Sequence, residues 1–450
     1  MENNGKTIVA IATPIGSAGV GIVRLSGEKS LEIAKKMFDK QIEQPRYMYL
    51  GKITTEKLSE RGFVVYFKAP HSYTGEDVVE FQVHGGIMIV NEIVKECLSL
   101  GATMAERGEF TKRAFMNGKL SLNEAESLMD YINAQSNAEL IASKNLINGA
   151  FSAQINGFID NLKDCLAQIN VTLDYPEHDD ELKTAEKIKG LLENLNCEVD
   201  KLIDSYNYGR LIKNGVNVCL VGQPNVGKSS IMNGLMNNDV AIVTDIAGTT
   251  TDPIKDSYIY KDMRFNIVDT AGIRESENTI EKIGIERTKQ NIEISDLVLG
   301  VFDCTNLTDL EAILNETKNK KRLLVFNKID LINQQNFEEK IKKTLKNDEF
   351  IIISAKNSDD ILLLKEKIYE ITMSKKINTD ANIVLNQRHY ELLNLARQDI
   401  ERALSNIDFV TLDCVACDIM DAYSALSAII GYGDIEDIID TIFSKFCLGK

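Results

Sequence analysis

Apolar and polar positions alternate in short runs through the first 119 residues, so that Thr7 to Ala12, Gly21 to Leu25, Gly62 to Phe67 and Asp77 to Val83 each fit a strand. Turn clusters, Pro14-Ile15-Gly16 and Ser72-Tyr73-Thr74-Gly75, separate them, while Ser30 to Phe38 and Asn91 to Leu100 carry the helical repeat. This pattern predicts an α+β domain. At Ser121 the period changes. Ser121-Leu-Asn-Glu124 reads as a capping box, the serine hydroxyl serving a free amide and Glu124 reaching back. Helical periodicity then runs with breaks to Leu211, most clearly broken at Asp174-Tyr175-Pro176 and the acidic patch through Glu181. From Asn214 to about Met373, apolar strands alternate with helices as in βαβ units, which implies a mostly parallel, doubly wound sheet. Beyond Asn386 the pattern is helical again. A complete α/β unit flanked by helices is expected to be an insertion in one helical domain built from two chain segments. The expected order is therefore residues 1–119, an α+β domain; 120–212, the first helical half; 213–374, the α/β domain; and 375–450, the second helical half.

Composition changes this picture little. The chain has 450 residues and 44% hydrophobic content, and no stretch has the ~18 apolar residues of a membrane span. Its first residues, MENNGKTIVAIATPIG, lack the basic and apolar regions of a signal peptide, so a cytoplasmic protein with no membrane contact is expected. The net charge of −16 argues against a freestanding nucleic-acid binder and makes any such contact local or shared with a partner. Eight cysteines without framework spacing predict no disulfides. Cys414-Val-Ala-Cys417 lacks a second ligand pair and falls in a helix-like run, so it reads as structural rather than metal-binding.

The chemistry-bearing motifs lie in the α/β segment. Gly222-Gln-Pro-Asn225-Val226-Gly227-Lys228-Ser229 follows the apolar run Val216 to Val221 and, with Ser230, opens a helix, the context of a phosphate-binding loop. Its amides would turn toward the β-phosphate, Lys228 would meet the β and γ oxygens, and the Ser229 hydroxyl would ligate Mg²⁺. Asp269-Thr270-Ala271-Gly272 ends a strand pattern, placing a carboxylate toward the magnesium water and an amide toward the γ-phosphate. Asn327-Lys328-Ile-Asp330 follows a buried-looking strand, and Asp330 can accept from the N1 and N2 donors of guanine, an edge that adenine lacks. Ser354-Ala355-Lys356 supplies a backbone contact to the guanine oxygen. Gly248-Thr249-Thr250 lies where a switch loop would bring a threonine hydroxyl, that of Thr250, to Mg²⁺. Five motifs in this order predict a Ras-like GTP-binding and GTP-hydrolysing domain. Ile273 stands where Ras-type enzymes place the water-orienting glutamine, so another group must position the nucleophile.

Four further features lie outside that domain: Gly19-Val-Gly-Ile-Val-Arg24-Leu-Ser-Gly27; Ser72-Tyr-Thr-Gly-Glu-Asp77 through His84-Gly-Gly86; Arg107-Gly-Glu-Phe110 with Lys112-Arg-Ala-Phe115; and Phe446-Cys447-Leu448-Gly449-Lys450. With them the chain resembles, over essentially its whole length, the MnmE (TrmE) family of tRNA modification GTPases. The resemblance implies K⁺-dependent dimerisation of the GTPase domains, with Asn225 and the loop Thr244-Asp245-Ile246-Ala247-Gly248-Thr249 in contact with K⁺ and GTP; the K⁺ ligands would be Asn225, Thr244, Ile246 and Thr249. Glu281 matches the family glutamate that orients the attacking water. Arg24, Glu80, Lys119 and Lys450 align with contacts to a 5-formyl- or 5,10-methylene-tetrahydrofolate, in a domain that also forms the homodimer, and Cys447 is a candidate nucleophile. The implied reaction adds a carboxymethylaminomethyl group to C5 of the wobble uridine of certain tRNAs, with an FAD-dependent MnmG-type partner in a heterotetramer or larger complex. One departure is Thr251, where the family usually has arginine. The alternative from the motifs alone is a regulatory GTPase of ribosome or RNA-complex assembly.

Overall fold

The computed structural model describes residues 5–175, 181–236, 256–269, 289–307, 310–345, 348–373, 383–433, 436–444, 446–447 and 449. They form two compact units: residues 1–132, 144–199 and 391–450, and residues 133–143 and 200–390.

In the first unit the strands are β1 (Ile8–Ile11), β2 (Ala18–Ser26), β3 (Met48–Thr54), β4 (Ser59–Phe67), β5 (Val78–Gly85) and β6 (Thr103–Met104), the four predicted runs giving β1, β2, β4 and β5, with sheet order β3-β4-β5-β2-β1-β6. Only the β1–β6 pair is parallel. Alternation assigns the faces. Val23, Leu25, Ile53, Val64, Val79, Phe81 and Val83 point into one core with Ile33 and Ala34 of α1 (Ser30–Met37) and Ile93 and Val94 of α2 (Ile87–Ser99). The intervening residues, Arg24 and Glu80 among them, occupy the opposite face. Four elements exceed the sequence expectation, the two-residue β6 among them. The edge strand β3, MYLGKIT, lacks a clean apolar–polar alternation and is set by its pairing along β4. Helix α2 begins at Ile87 rather than Asn91, with Gly86 as its extended N-cap. Helix α3 (Glu109–Met116) arises within the Arg107-to-Phe115 motif, started by Gly108 at φ +69°.

The helical stretches follow the predicted breaks: α4 (Leu122–Asn133), α5 (Asn137–Ile147), α6 (Ala150–Asp174), ending before Tyr175, and α7 (Glu181–Asn214), of which residues 137–143 and 200–214 belong to the second unit. The capping box is half realised. Glu124 Oε2 accepts from the Ser121 amide at 2.9 Å, but Ser121 Oγ donates to the buried Asn123 side chain instead of accepting from an amide.

In the second unit, β7 (Val216–Val221), β8 (Asp256–Tyr260), β9 (Met263–Asp269), β10 (Leu297–Asp303), β11 (Arg322–Asn327) and β12 (Phe350–Ile352) are ordered β12-β11-β10-β7-β9-β8. All pairs are parallel except β8 with β9. Helices α8 (Lys228–Met236), α9 (Leu310–Glu316), α10 (Gln334–Thr344) and α11 (Ser358–Thr372) alternate with the strands. Their apolar runs are buried, as parallel strands between helices require. The chain then returns to the first unit through α12 (Gln387–Asn406), and α13 (Leu412–Ile430) and α14 (Glu436–Ser444) follow there. Cys414 and Cys417 are exposed free thiols in the first turns of α13.

Helix α7 contains a close backbone approach at Gly209. A Cβ there would lie 2.0 Å from the Val384 carbonyl oxygen, while the Val384 amide donates to Ser205 Oγ at 3.0 Å. Gly157, within α6, has open space instead. Gly209→Ala should therefore destabilise its unit by roughly 1–3 kcal/mol through overpacking, whereas Gly157→Ala should stabilise by about 0.5–1 kcal/mol. Scanning calorimetry of both variants checks the opposed signs.

Candidate functional site

The loop after β7 is shaped by two glycines and an asparagine. A Cβ on Gly222 would lie 2.4 Å from the Val301 carbonyl oxygen, and Gly227, at φ +101°, would place one 2.1 Å from Asn327 Nδ2. Asn225 takes a left-handed conformation at φ +66°. The loop thus winds tightly against β10 and β11 and delivers Lys228 as the first residue of α8. Lys228 Nζ donates to the Gly222 and Gln223 carbonyls at 2.6 and 2.8 Å, so its charge is held at the loop. Ser229 and Ser230 are exposed in the first turn of the helix, whose amides and dipole favour an anion.

Asn327, 2% exposed at the end of β11, ties this loop to a second one. Its Nδ2 donates to the Val226 carbonyl at 2.9 Å, and its Oδ1 accepts from the Ala355 amide at 2.9 Å. Lys328, in left-handed conformation at φ +65°, donates to the Asn225 carbonyl at 2.8 Å and to Asp303 Oδ2 at 2.6 Å. Asp330 accepts from Ser354 Oγ at 2.9 Å and from Lys356 Nζ at 3.0 Å. The Lys356 and Ser354 bonds hold the Asp330 carboxyl below its usual range. Its anionic form and these bonds therefore persist from neutrality downward and are lost only as pH falls through the depressed value. Three sequence motifs distant in the chain converge here, the loop at Gly222–Ser229, Asn327–Asp330 and Ser354–Lys356. A buried amide, the lysines at 228, 328 and 356, and two carboxylates held ionised, Asp303 and Asp330, face the same end of the sheet, where open parallel sheets take ligands.

Sequence reasoning missed Asp303, Thr305 and Asp360. Asp360 Oδ2 accepts from the Ser354 amide at 2.7 Å, fixing the third loop. Asp303 ends β10, and its only sequence signal is a strand-end carboxylate followed two residues later by threonine. Thr244, Asp245, Ile246, Ala247, Gly248, Thr249, Thr250, Thr251, Thr270, Ala271, Gly272, Ile273, Glu281 and Lys450 lie outside the described residues, and Asp269 is described only as the end of β9.

A second cluster forms in the α+β part of the first unit. Arg24 on β2 and Glu80 on β5 are register partners, and Arg24 Nε donates to Glu80 Oε1 at 2.9 Å. The guanidinium carbon lies 5.7 and 5.8 Å from the ring centroids of Tyr73 and Phe110. Burial raises the Tyr73 hydroxyl pKa, opposed by its hydrogen bond with Thr111 and by the Arg24 charge. Lys119 is exposed, its Cε 3.2 Å from where a Cβ on Gly75 would stand. The chain near residue 447 packs on this part: the Gly108 amide donates to the Cys447 carbonyl at 3.4 Å, and Cys447 itself is exposed. A Cβ on Gly449 would meet the Ile11 carbonyl oxygen at 2.2 Å. The structure thus brings Arg24 and Glu80 into direct contact and leaves Lys119 exposed beside the Tyr73–Gly75 turn.

Comparison with known proteins covers both parts of the chain. The model of the MnmE helical domain matches residues 122–447, and that of the GTP-binding protein TrmE N-terminus matches residues 7–119. The tRNA modification GTPase MnmE of Acetivibrio thermocellus is 38% identical over 455 residues, covering 99% of both chains. The protein of the same name from Clostridioides difficile is 38% identical with the same coverage, and that from Carboxydothermus hydrogenoformans is 39% identical over 460 residues, again covering 99% of each.

Asn327→Ala removes both bonds that join the loops and leaves a buried carbonyl unmatched, at roughly 1–3 kcal/mol for the orphaned group. Titration calorimetry should show guanine-nucleotide affinity falling about 10- to 100-fold. Undiminished affinity would mean that the loops hold their shape without the knot.

Proposed function

Because the chain belongs to the MnmE family of tRNA modification GTPases, we propose that it couples GTP hydrolysis to installation of a carboxymethylaminomethyl group at C5 of the wobble uridine of certain tRNAs. It is a GTP hydrolase of tRNA modification by family. The observation that supports the finer reading is the presence, in one chain, of the guanine-type convergence around Asn327 and of the Arg24–Glu80 cluster.

In this reading the loop amides from Asn225 to Ser230, with Lys228, take the phosphates, and Asp330 with Ala355 and Lys356 takes the base. The ionised state of Asp330 suits two guanine donors, which would replace its present partners Ser354 and Lys356. Ser229, with Thr250 outside the described residues, would hold Mg²⁺; hydroxyl oxygens suit this hard cation, which would neutralise charge on the β and γ phosphates. Asn225, Thr244, Ile246 and Thr249 would hold K⁺ in the dimer of GTPase domains, and Glu281 would orient the attacking water. Asp269, Thr270, Ala271, Gly272 and the loop from Thr244 to Thr250 complete the proposed GTP contacts.

The chemistry of the first-unit cluster fits a reduced folate. A carboxylate can accept from pterin N–H groups, flanking aromatic rings offer stacking faces, and Lys119 with Lys450 can meet the glutamate tail. We assign the folate to Arg24, Glu80, Lys119 and Lys450, and we keep Cys447 as a candidate nucleophile that substrate or partner groups would have to activate. A homodimer through the same part of the chain is supported by Met48, Leu50 and Phe63, which are exposed on the sheet face that α1 and α2 do not cover. An FAD-dependent partner would bring flavin chemistry and the cationic surface that a chain of net charge −16 needs near tRNA. Segments 120–212 and 375–450 act in this scheme as the two halves of one helical domain around the GTPase domain of 213–374, downstream of the folate domain of 1–119. We place the protein in the cytoplasm, where tRNA is modified; among the described residues no helix is long and apolar enough to cross a membrane.

Mass spectrometry of tRNA nucleosides from a strain lacking this gene should show loss of the carboxymethylaminomethyl uridines and their return on complementation. An unchanged nucleoside profile would favour a regulatory GTPase of ribosome or RNA-complex assembly. On the purified protein, Arg24→Ala and Lys119→Ala should each abolish or strongly weaken binding of a tetrahydrofolate derivative, and full retention would withdraw those assignments. Glu281→Ala should slow single-turnover GTP hydrolysis by two orders of magnitude or more, within the ~10²–10⁴-fold range for a positioned acid–base or water-orienting group.

A further inference from the structure

The turn after β10 presents a carboxylate whose two oxygens are both committed. Asp303 Oδ1 accepts from the Thr305 amide at 2.9 Å and from Thr305 Oγ1 at 2.7 Å, which fixes the rotamer from within the turn. Backbone bonds lock the turn itself, since the Asn306 amide donates to the Asp303 carbonyl and the Cys304 amide to the Asn327 carbonyl, each at 2.9 Å. Asp303 Oδ2 is thereby aimed at Lys328 Nζ, 2.6 Å away. The same ammonium donates to the Asn225 carbonyl in the phosphate loop. Burial pushes the Asp303 carboxyl pKa up, but the bonds from Lys328 and Thr305 outweigh it and hold the group anionic below its ordinary range.

We propose that Asp303, set by Thr305, is a positioning residue for guanine-nucleotide binding: it fixes the Lys328 ammonium, and through it the Asn225 turn of the phosphate loop. The inference rests on the GTP-site reading above. Lys328 is long and flexible, and two acceptors on different elements are what reduce it to one conformation. Without the carboxylate, the ammonium keeps one weak acceptor, the Asn225 carbonyl. The left-handed Asn225 turn then loses its cross-link to β10. Asn327 holds the neighbouring Val226 carbonyl independently, so the loop is loosened at one residue rather than unfolded.

The strand supplies its own control. Asp296, immediately before the other end of β10, pairs with Arg210 at 2.5 Å, and its side chain is 14% exposed against 15% for Asp303. Asp296→Asn removes a comparably shielded ion pair beside the same strand, at the end away from the phosphate loop; its other oxygen accepts from the Asn217 amide of β7 at 2.9 Å, a bond that an asparagine side-chain oxygen can keep. Dissociation of a fluorescent GDP analogue from the full chain is the measurement. Asp303→Asn should accelerate it roughly tenfold, as the loss of a charge-assisted bond that orders the loop, and Thr305→Val should accelerate it by about threefold, the loss of one hydrogen bond. Asp296→Asn should leave the rate within twofold of the unaltered protein. In a Lys328→Met background, Asp303→Asn should add nothing, because its effect passes through that lysine.

If the unaltered chain fails to bind the GDP analogue, the nucleotide reading falls and this inference with it. If it binds, but Asp303→Asn leaves dissociation unchanged, Asp296→Asn speeds it equally, or the acceleration persists without Lys328, the positioning role is overturned while the nucleotide reading stands.

Discussion

The second unit depends on one side-chain amide. Asn327 can serve as donor and acceptor at once, and both capacities are used on backbone groups of loops that lie on either side of it in sequence, Val226 and Ala355. Because the residue is buried, each bond is exchanged against desolvation rather than against free water, so neither loop can leave without orphaning a polar atom. Parallel strands β10 and β11 set the position of Asn327, and the glycines at 222 and 227 let the phosphate loop come close enough to reach it. Everything the site offers a nucleotide follows from that closeness.

How much of this was legible in the sequence divides along a physical line. The βαβ alternation and the motif residues were readable because parallel strands are uniform apolar runs and phosphate loops need glycine at fixed places; β7 matches its predicted span, Val216 to Val221. Asp303 was not readable, since a strand-end aspartate acquires its meaning only when β10 and β11 are paired and Lys328 arrives opposite. In the first unit, the register that sets Arg24 against Glu80 could not be inferred from two runs 56 residues apart. Helix α3 escaped because its start depends on a positive φ at Gly108 and its packing on residues near the far end of the chain. The capping box failed in one half because the buried Asn123 competes for the Ser121 hydroxyl.

The two faces of the first sheet divide labour in a way that the alternation makes necessary. One face is closed by α1 and α2 over a continuous apolar core. The other carries the Arg24–Glu80 pair together with exposed apolar side chains. A single strand such as β5 therefore supports both, with Val79, Phe81 and Val83 inward and Glu80 and Gln82 outward. Core packing and the Arg24–Glu80 pair are separable on this sheet, residue by residue.

The helices that complete the first unit come from opposite ends of the chain. Leu122 and Ala125 of α4 are buried by Ile439 and Phe443 of α14 and by Phe446, and Lys112 meets Asp440 across a sequence separation of 328 residues. During synthesis, at about 5–20 residues per second, that interval lasts on the order of tens of seconds. For all of it the emerging chain shows the ribosome's surroundings an apolar surface whose cover has not been translated, while the interposed α/β unit can already fold. A nascent chain of this protein therefore keeps the apolar face of α4 without its cover until α14 has been made.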